Sequence, residues 1–508
     1  MLVPARSDAA LAARTFRALS VASKPVETRL LVGITGVACV VRFATLGAQS
    51  YWFDEAQAAH ELHLSLGSML SSFNAVETAP PLYFVLGWVW VHLFGSGAVA
   101  LRSLSALAGT ALIPIVYLAG RELVSSRAGL VAAAFAAVNP FMVWYSQEAR
   151  EYMLVAAFCA ASLLWFARAL KDPSRRNVVW WAVFSGLALL THYFAGFLVA
   201  PEAVWLLYTA RNRATKTAVA GLVVIQLALV PLLVAHATHS LLGFITETPL
   251  GIRLQAVPIA FALGPSFEGT LMSAGLIGGA ILAALVIVLL IVGADADELR
   301  GAGVAAVLAA CVLLLPILAA LLGKDFYLER AVIAAWVPLA IVVAAACTTR
   351  LRISGAVLAA ILLAGSAYGL IKINSDAAYQ RPDWRGVASA LGSPAGQRAI
   401  IAYDGRLAAD PLSLYLRGVP WTQPTGPVSV HEVDVVGYPW QELGNPLPPG
   451  YKLIASKRVS DYLVDRFSVA QGLDLTPTAI GALGGKLLGP SPSQVAVLVQ
   501  QVPSSPPV

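Results

Sequence analysis

"MSAGLIGGAILAALVIVLLIVGA", residues 272–294, contains no charged side chain. A helix rises 1.5 Å per residue, so a run of this length reaches through a hydrocarbon core of roughly 30 Å. A second run, "GAGVAAVLAACVLLLPILAALLG" (301–323), follows a short charged break that ends in "ELR" (298–300). The 508 residues as a whole repeat the pattern, being 58% hydrophobic and 12% charged with a mean hydropathy of +0.74. Soluble domains run near 45–50% apolar with about a quarter charged. The chain therefore reads as a polytopic α-helical membrane protein.

The net charge of +6 and pI near 9.1 do not point to nucleic acid here. Basic residues concentrate in the cytoplasmic loops of membrane proteins. Cys39, Cys159, Cys311 and Cys347 all lie in apolar segments. They read as small buried hydrophobes, without disulfide framework or zinc spacing. Residues 1–29 carry Arg6, Arg14, Arg17, Lys24 and Arg29 ahead of the first apolar run, which reads as a cytoplasmic tail leading into a first span.

Basic clusters at 121–127, 171–176, 211–216, 298–300 and 348–352 fix the expected topology. Placing all of them inside gives about eleven spans, near 30–48, 98–120, 128–145, 152–170, 178–193, 196–210, 217–236, 272–293, 302–323, 331–348 and 353–372. "PPLYFVLGWVWVHLFG" (80–95) is apolar but short, with Trp88, Trp90 and His92. If it crossed, every later basic loop would land outside, so it reads as an interfacial or re-entrant helix within a first external loop, 49–97.

The outer face then collects Asp54 and Glu55, Glu77, "YSQEAREY" (145–152), "THYF" (191–194), "HATHS" (236–240), "ITETP" (245–249) and "KDFYLER" (324–330). Charges at a hydrocarbon boundary are costly and mark functional sites. Helix capping, helix-end anchoring and ordinary loop structure account for some of them singly. They do not account for acids, histidines and tyrosines gathering on one side. Residues 375–500 turn rich in Pro, Gly and charge, and short strand-like runs alternate with helix-like ones. A small C-terminal α/β extracytoplasmic domain is expected there, followed by a disordered tail, 501–508.

In order along the chain stand "WFDEA", "APPLYF", "YSQEAREYML", "LTHYFAGF", "FYLERAVIAAWVPLA" and "RPDWRGVASAL". Over roughly residues 30–390 this series resembles the family 39-type membrane glycosyltransferases of the GT-C superfamily. Those enzymes are relatives of the protein O-mannosyltransferases and of the lipid A aminoarabinose transferases. The resemblance implies a transmembrane catalytic module, 30–372, that moves a sugar from a polyprenyl-phosphate carrier to an envelope glycan, lipid or protein acceptor. Mannose or arabinose is the favoured sugar, and a multi-pass protein of a bacterial plasma membrane is the implied setting. Asp54 of "WFDEA" matches the essential acid, with Glu55 beside it as support. Arg330 of "FYLER" is the first candidate for the donor phosphate and Arg150 the second. Glu77, Tyr83, Glu148, His192 and Tyr193 are the candidate cavity residues. Ala79 stands where relatives often carry His before the paired prolines. Metal dependence varies in the family, and no ligand cluster marks a metal here.

The residue types suit that chemistry independently. A carboxylate in hydrogen-bond reach can take the proton of an acceptor hydroxyl, and an arginine fork suits a phosphate leaving group. Direct displacement with a single base predicts inversion. The alternative readings are a transporter or flippase of a lipid-linked sugar, and a non-catalytic scaffold. Transporters of the first kind usually show inverted repeats and polar groups at mid-membrane, and the sequence shows neither.

Overall fold

The computed structural model describes residues 25–238, 243–394, 396–402, 406–416, 421–422, 427–437, 450–476, 478–479, 483 and 496–500. Residues 1–24 of the expected tail, the end of "HATHS" (239–240) and the tail 501–508 lie outside the described residues.

Each of the eleven stretches expected to span is helical. Among the described residues, six helices are long and apolar enough to cross alone: Ala98–Leu123, Tyr152–Lys171, Arg213–His236, Leu271–Gly293, Ala296–Leu321 and Arg352–Ser375. Ser126–Val138 and Pro140–Ser146 together make a seventh, bent by 59°. Pro25–Phe43 carries Glu27, Arg29 and Arg42, while Arg175–Thr191, Tyr193–Thr209 and Ile333–Cys347 are shorter. The mostly helical, membrane-type architecture is thus present, and the full count of eleven crossings belongs to the proposal below. Leu82–Phe94 is a helix of 13 residues. At about 20 Å it falls short of a hydrocarbon core.

The bend at 139–140 shows how an intramembrane charge is accommodated. Pro140 has no N–H to give the Ala136 carbonyl, so the helix breaks there. Asn139 caps the new helix, its side-chain oxygen accepting from the Met142 N–H at 3.1 Å. Arg42, fully buried, donates to the Ala136 and Ala137 carbonyls at 2.8 Å each and to the Ser146 hydroxyl at 3.0 Å. A Cβ on Gly109 would meet Ser146 Oγ at 2.2 Å and Arg42 Nε at 2.8 Å, so glycine is what lets the helix 98–123 lie against this junction. The bend matters because the turn that follows it, 147–151, carries three of the site's charges.

Two differences from the sequence reading concern the site. Residues 250–263, between two of the expected spans, form a further helix. Past residue 383, the helices Trp384–Leu391 and Arg406–Tyr415 pack with six strands: β1 (Arg398–Ala402), β2 (Trp421–Thr422), β3 (Val428–Gly437), β4 (Tyr451–Val459), β5 (Tyr462–Leu475) and β6 (Ala496–Gln500). Their order is β2-β6-β1-β3-β5-β4, with β1 and β3 parallel and the other pairs antiparallel. Trp384, Val387, Leu391, Ile400, Leu412 and Val464 form the shared core. β5 was not expected, because Asp465 and Arg466 interrupt its apolar alternation.

Arg42→Met should strip the donors from two buried carbonyls, at about 1–3 kcal/mol for each group left unpaired. The melting temperature of the detergent-purified protein should fall by several degrees. An unchanged value would mean that the bend does not depend on Arg42.

Candidate active site

Neighbouring residues on a helix point about 100° apart, and the helix Phe53–Leu62 uses this to send its two acids different ways. Asp54 lines a cavity of about 180 Å³. Glu55 turns into the protein, fully buried, where Arg102 donates to its two oxygens at 2.7 and 2.6 Å. The Ala149 N–H adds a third bond at 2.9 Å. Burial pushes the Glu55 carboxyl up, but the Arg102 charge and these bonds hold it below the usual carboxylate range. The remaining N–H groups of Arg102 go to the carbonyls of Leu46, Gln49 and Ser50. The sequence reading grouped Glu55 with the catalytic acid. The structure puts it behind the wall, where it shapes the loop that presents Asp54.

Across the cavity from Asp54 stands Arg330, its guanidinium nitrogen 3.9 Å from the Asp54 carboxylate. Each side chain is about one-fifth exposed. The guanidinium also sits 5.7 Å from the Trp52 ring and 6.0 Å from that of Tyr152, which fixes its plane without consuming its N–H donors.

Arg150 lines the cavity too, but its charge is already matched. It forks onto Glu77 at 3.0 and 3.1 Å, and its Nε lies 3.0 Å from Glu151. Burial raises the Glu77 carboxyl well above the usual range, with the charges of Glu61 and Glu151 adding to that against the pull of Arg150. Two acids bonded to one guanidinium leave it few N–H groups to offer a phosphate. Glu151, which the sequence reading passed over inside "YSQEAREY", is therefore part of the site. Its only signal was adjacency to Arg150.

Glu148, expected in the cavity, is not part of its lining. It sits behind the wall, bonded at 3.0 Å to Arg381 of "RPDWRG", whose guanidinium packs 4.2 Å from the Trp144 ring. Tyr83 is fully buried edge-on against Phe84 and is not among the lining residues. His192, Tyr193 and Ala79 do line the cavity. His192 accepts the Phe194 N–H at 3.1 Å, capping the turn between two helices. Tyr193 meets His236 at 3.3 Å, and His236 of "HATHS" is also in the wall. Among the described residues, no group of three or more His, Cys, Asp and Glu side chains is arranged to hold a metal ion.

The loop carrying Asp54 is gripped from the C-terminal side. Asp383 accepts the Ser50 hydroxyl at 2.8 Å, the Tyr51 N–H donates to the Tyr415 hydroxyl at 2.8 Å, and His60 meets Ser413 at 2.9 Å. These contacts are bracing ones.

Known proteins resemble the chain in part of its sequence and in its fold. Residues 78–235 match the family described as dolichyl-phosphate-mannose-protein mannosyltransferase. ArnT from Cupriavidus metallidurans bound to undecaprenyl phosphate superposes with a TM-score of 0.52 at 14% identity, over 86% of this chain and 98% of that one. Residues 78–235 thus resemble that mannosyltransferase family, and the chain as a whole resembles ArnT in fold. The apo form of the same ArnT gives a TM-score of 0.51 at 15% identity over the same shares. At these identities the structural likeness is one of fold. No curated protein matches the chain in sequence. The matched family segment contains Arg150, Tyr152, His192 and Tyr193, whereas Asp54 and Arg330 lie outside it.

Burial raises the Glu148 carboxyl from 4.5 to about 7, with Glu55 and Asp54 adding to the rise against the attraction of Arg381. The fold thus favours its protonated form. The stability this contributes is present at low pH and is lost as pH climbs from about 4.5 to about 7. Glu148→Gln stays neutral, so its melting temperature should gain on wild type across that window and run parallel above it. A difference independent of pH would show that Glu148 stays ionised throughout.

Proposed function

We propose that the protein is an inverting glycosyltransferase of eleven membrane crossings. It uses a polyprenyl-phosphate sugar on the outer face of a bacterial plasma membrane, with its C-terminal α/β unit on that same side. The observation that carries this reading is the open pair Asp54–Arg330 on the cavity wall, a base and a phosphate ligand within reach of one bound substrate. The carrier class is supported by the family description, which names a dolichyl-phosphate donor, and by the ArnT structure holding undecaprenyl phosphate. The same family description favours mannose over arabinose. The acceptor is an envelope glycan, lipid or protein.

In this reading Asp54 accepts the proton of the acceptor hydroxyl as its oxygen bonds to the anomeric carbon. The bond from that carbon to the phosphate oxygen breaks on the opposite face, inverting the centre. The negative charge left on the lipid phosphate is stabilised by Arg330, whose fork donates two hydrogen bonds to the phosphate oxygens. Arg150, matched by Glu77 and Glu151, is a cavity wall and not a phosphate ligand. Glu55 is structural. His192, Tyr193 and His236 offer polar contacts to sugar hydroxyls.

Purified wild type, given a panel of polyprenyl-phosphate sugars and crude envelope acceptors, should consume one donor with inversion. Asp54→Asn should lose roughly 10²–10⁴-fold in turnover, the usual contribution of a general base, while still binding the donor. Turnover retained in that variant would remove Asp54 from the role of base. Sugar-lipid crossing liposome membranes with no bond changed would favour the transporter instead.

A further inference from the structure

The segment 324–330, "KDFYLER", is neither helix nor strand, yet its side chains alternate. Phe326, Leu328 and Arg330 lie on the cavity wall. Asp325, Tyr327 and Glu329 face the protein. Tyr327 is 2% exposed in the core, and Glu329 accepts the Tyr145 hydroxyl at 3.2 Å. Residues 324–328 are extended, where successive side chains face opposite ways, and the turn that follows, with the Ala331 N–H on the Leu328 carbonyl at 3.1 Å, carries Glu329 and Arg330, so a slip of one residue in the extended part would carry through the turn. Here a slip would swap Arg330 for Glu329 and present a phosphate with an anion.

The grip on the anchored face comes from Arg253, in the first turn of the helix Leu250–Leu263 and 72 residues away in sequence. Its guanidinium forks onto Asp325, with one arm at 3.0 Å, and also donates to the Tyr327 carbonyl. Its Nε donates to the Thr248 carbonyl at 2.8 Å, and the residue is 7% exposed. Asp325 also accepts the Tyr327 N–H at 3.3 Å, which closes the turn on itself. We propose that Arg253 is a positioning residue that sets the register of residues 325–330 and so aims Arg330 into the cavity. It touches no substrate. The proposal rests on the reading of Arg330 as phosphate ligand.

The test is equilibrium binding of undecaprenyl phosphate, without sugar, to the full-length protein in nanodiscs. Four forms are compared: wild type, Arg253→Gln, Arg330→Gln and the double variant. Each single change should weaken binding tenfold or more, and the double variant should bind no more weakly than Arg330→Gln alone. Losses that multiply would show an ordinary stabilising ion pair and overturn the proposal, as would wild-type affinity in Arg253→Gln. Wild-type affinity in Arg330→Gln would instead sink the phosphate assignment and this proposal with it. Should Arg253→Gln not fold, Asp325→Asn, at a side chain 21% exposed, runs the same cycle with the same outcomes.

Discussion

The Arg102–Glu55 pair is the constraint on which the rest of the site depends. A guanidinium has five N–H donors and no acceptor. Arg102 places all five: two on Glu55 and three on the carbonyls of Leu46, Gln49 and Ser50. Glu55 in turn takes the Ala149 N–H. One residue on the helix 98–123 thereby fixes the chain entering the loop, the helix that carries Asp54 and the turn that carries Glu148, Arg150 and Glu151. Removing one partner of a buried pair typically costs about 3–5 kcal/mol, since the other charge stays buried and unmatched. The same interaction that positions Asp54 also makes the loop intolerant of change at Glu55.

The ion pairs around the cavity sort themselves by closure. Arg102–Glu55, Arg150–Glu77 and Arg381–Glu148 are hydrogen-bonded at 2.6–3.1 Å, with every side chain at or below 6% exposure. Arg253 and Asp325 are likewise bonded directly. Asp54 and Arg330, at 3.9 Å and about one-fifth exposed, stand apart. Closed pairs are bonded to each other directly and serve as scaffold. The open pair still has lone pairs and N–H groups to offer a ligand. This distinction separates Asp54 from Glu55 and Arg330 from Arg150, which composition and spacing rank as equals.

It also shows where the sequence was legible. Hydropathy locates the helices, because apolar length is a property of consecutive residues. Basic loop clusters then predict which polar motifs share an end of the bundle, and all seven of them contribute to the wall of one cavity. Pairing is another matter. Glu148 and Arg381 are separated by 233 residues and Arg253 and Asp325 by 72. No periodicity links such partners. The helix Leu250–Leu263 was passed over because 14 residues with an internal Arg253 and Pro258 are too short to span and too apolar to read as loop. β5 was missed for a related reason: Asp465 is buried in mid-strand, where alternation predicts an apolar residue.

The open pair also suggests why base and phosphate ligand should be neighbours at all. With no donor present, Arg330 is the nearest cation to Asp54. A lipid phosphate that takes the Arg330 fork draws that positive charge toward itself. The carboxylate then loses its counter-charge as the acceptor hydroxyl arrives, and the hydroxyl proton becomes the nearest positive charge it can take. On the proposed reading, donor binding would thus draw Arg330 from Asp54 and leave the carboxylate facing the acceptor. In the proposed reaction, that coupling would favour transfer to the acceptor only when the sugar donor is in place.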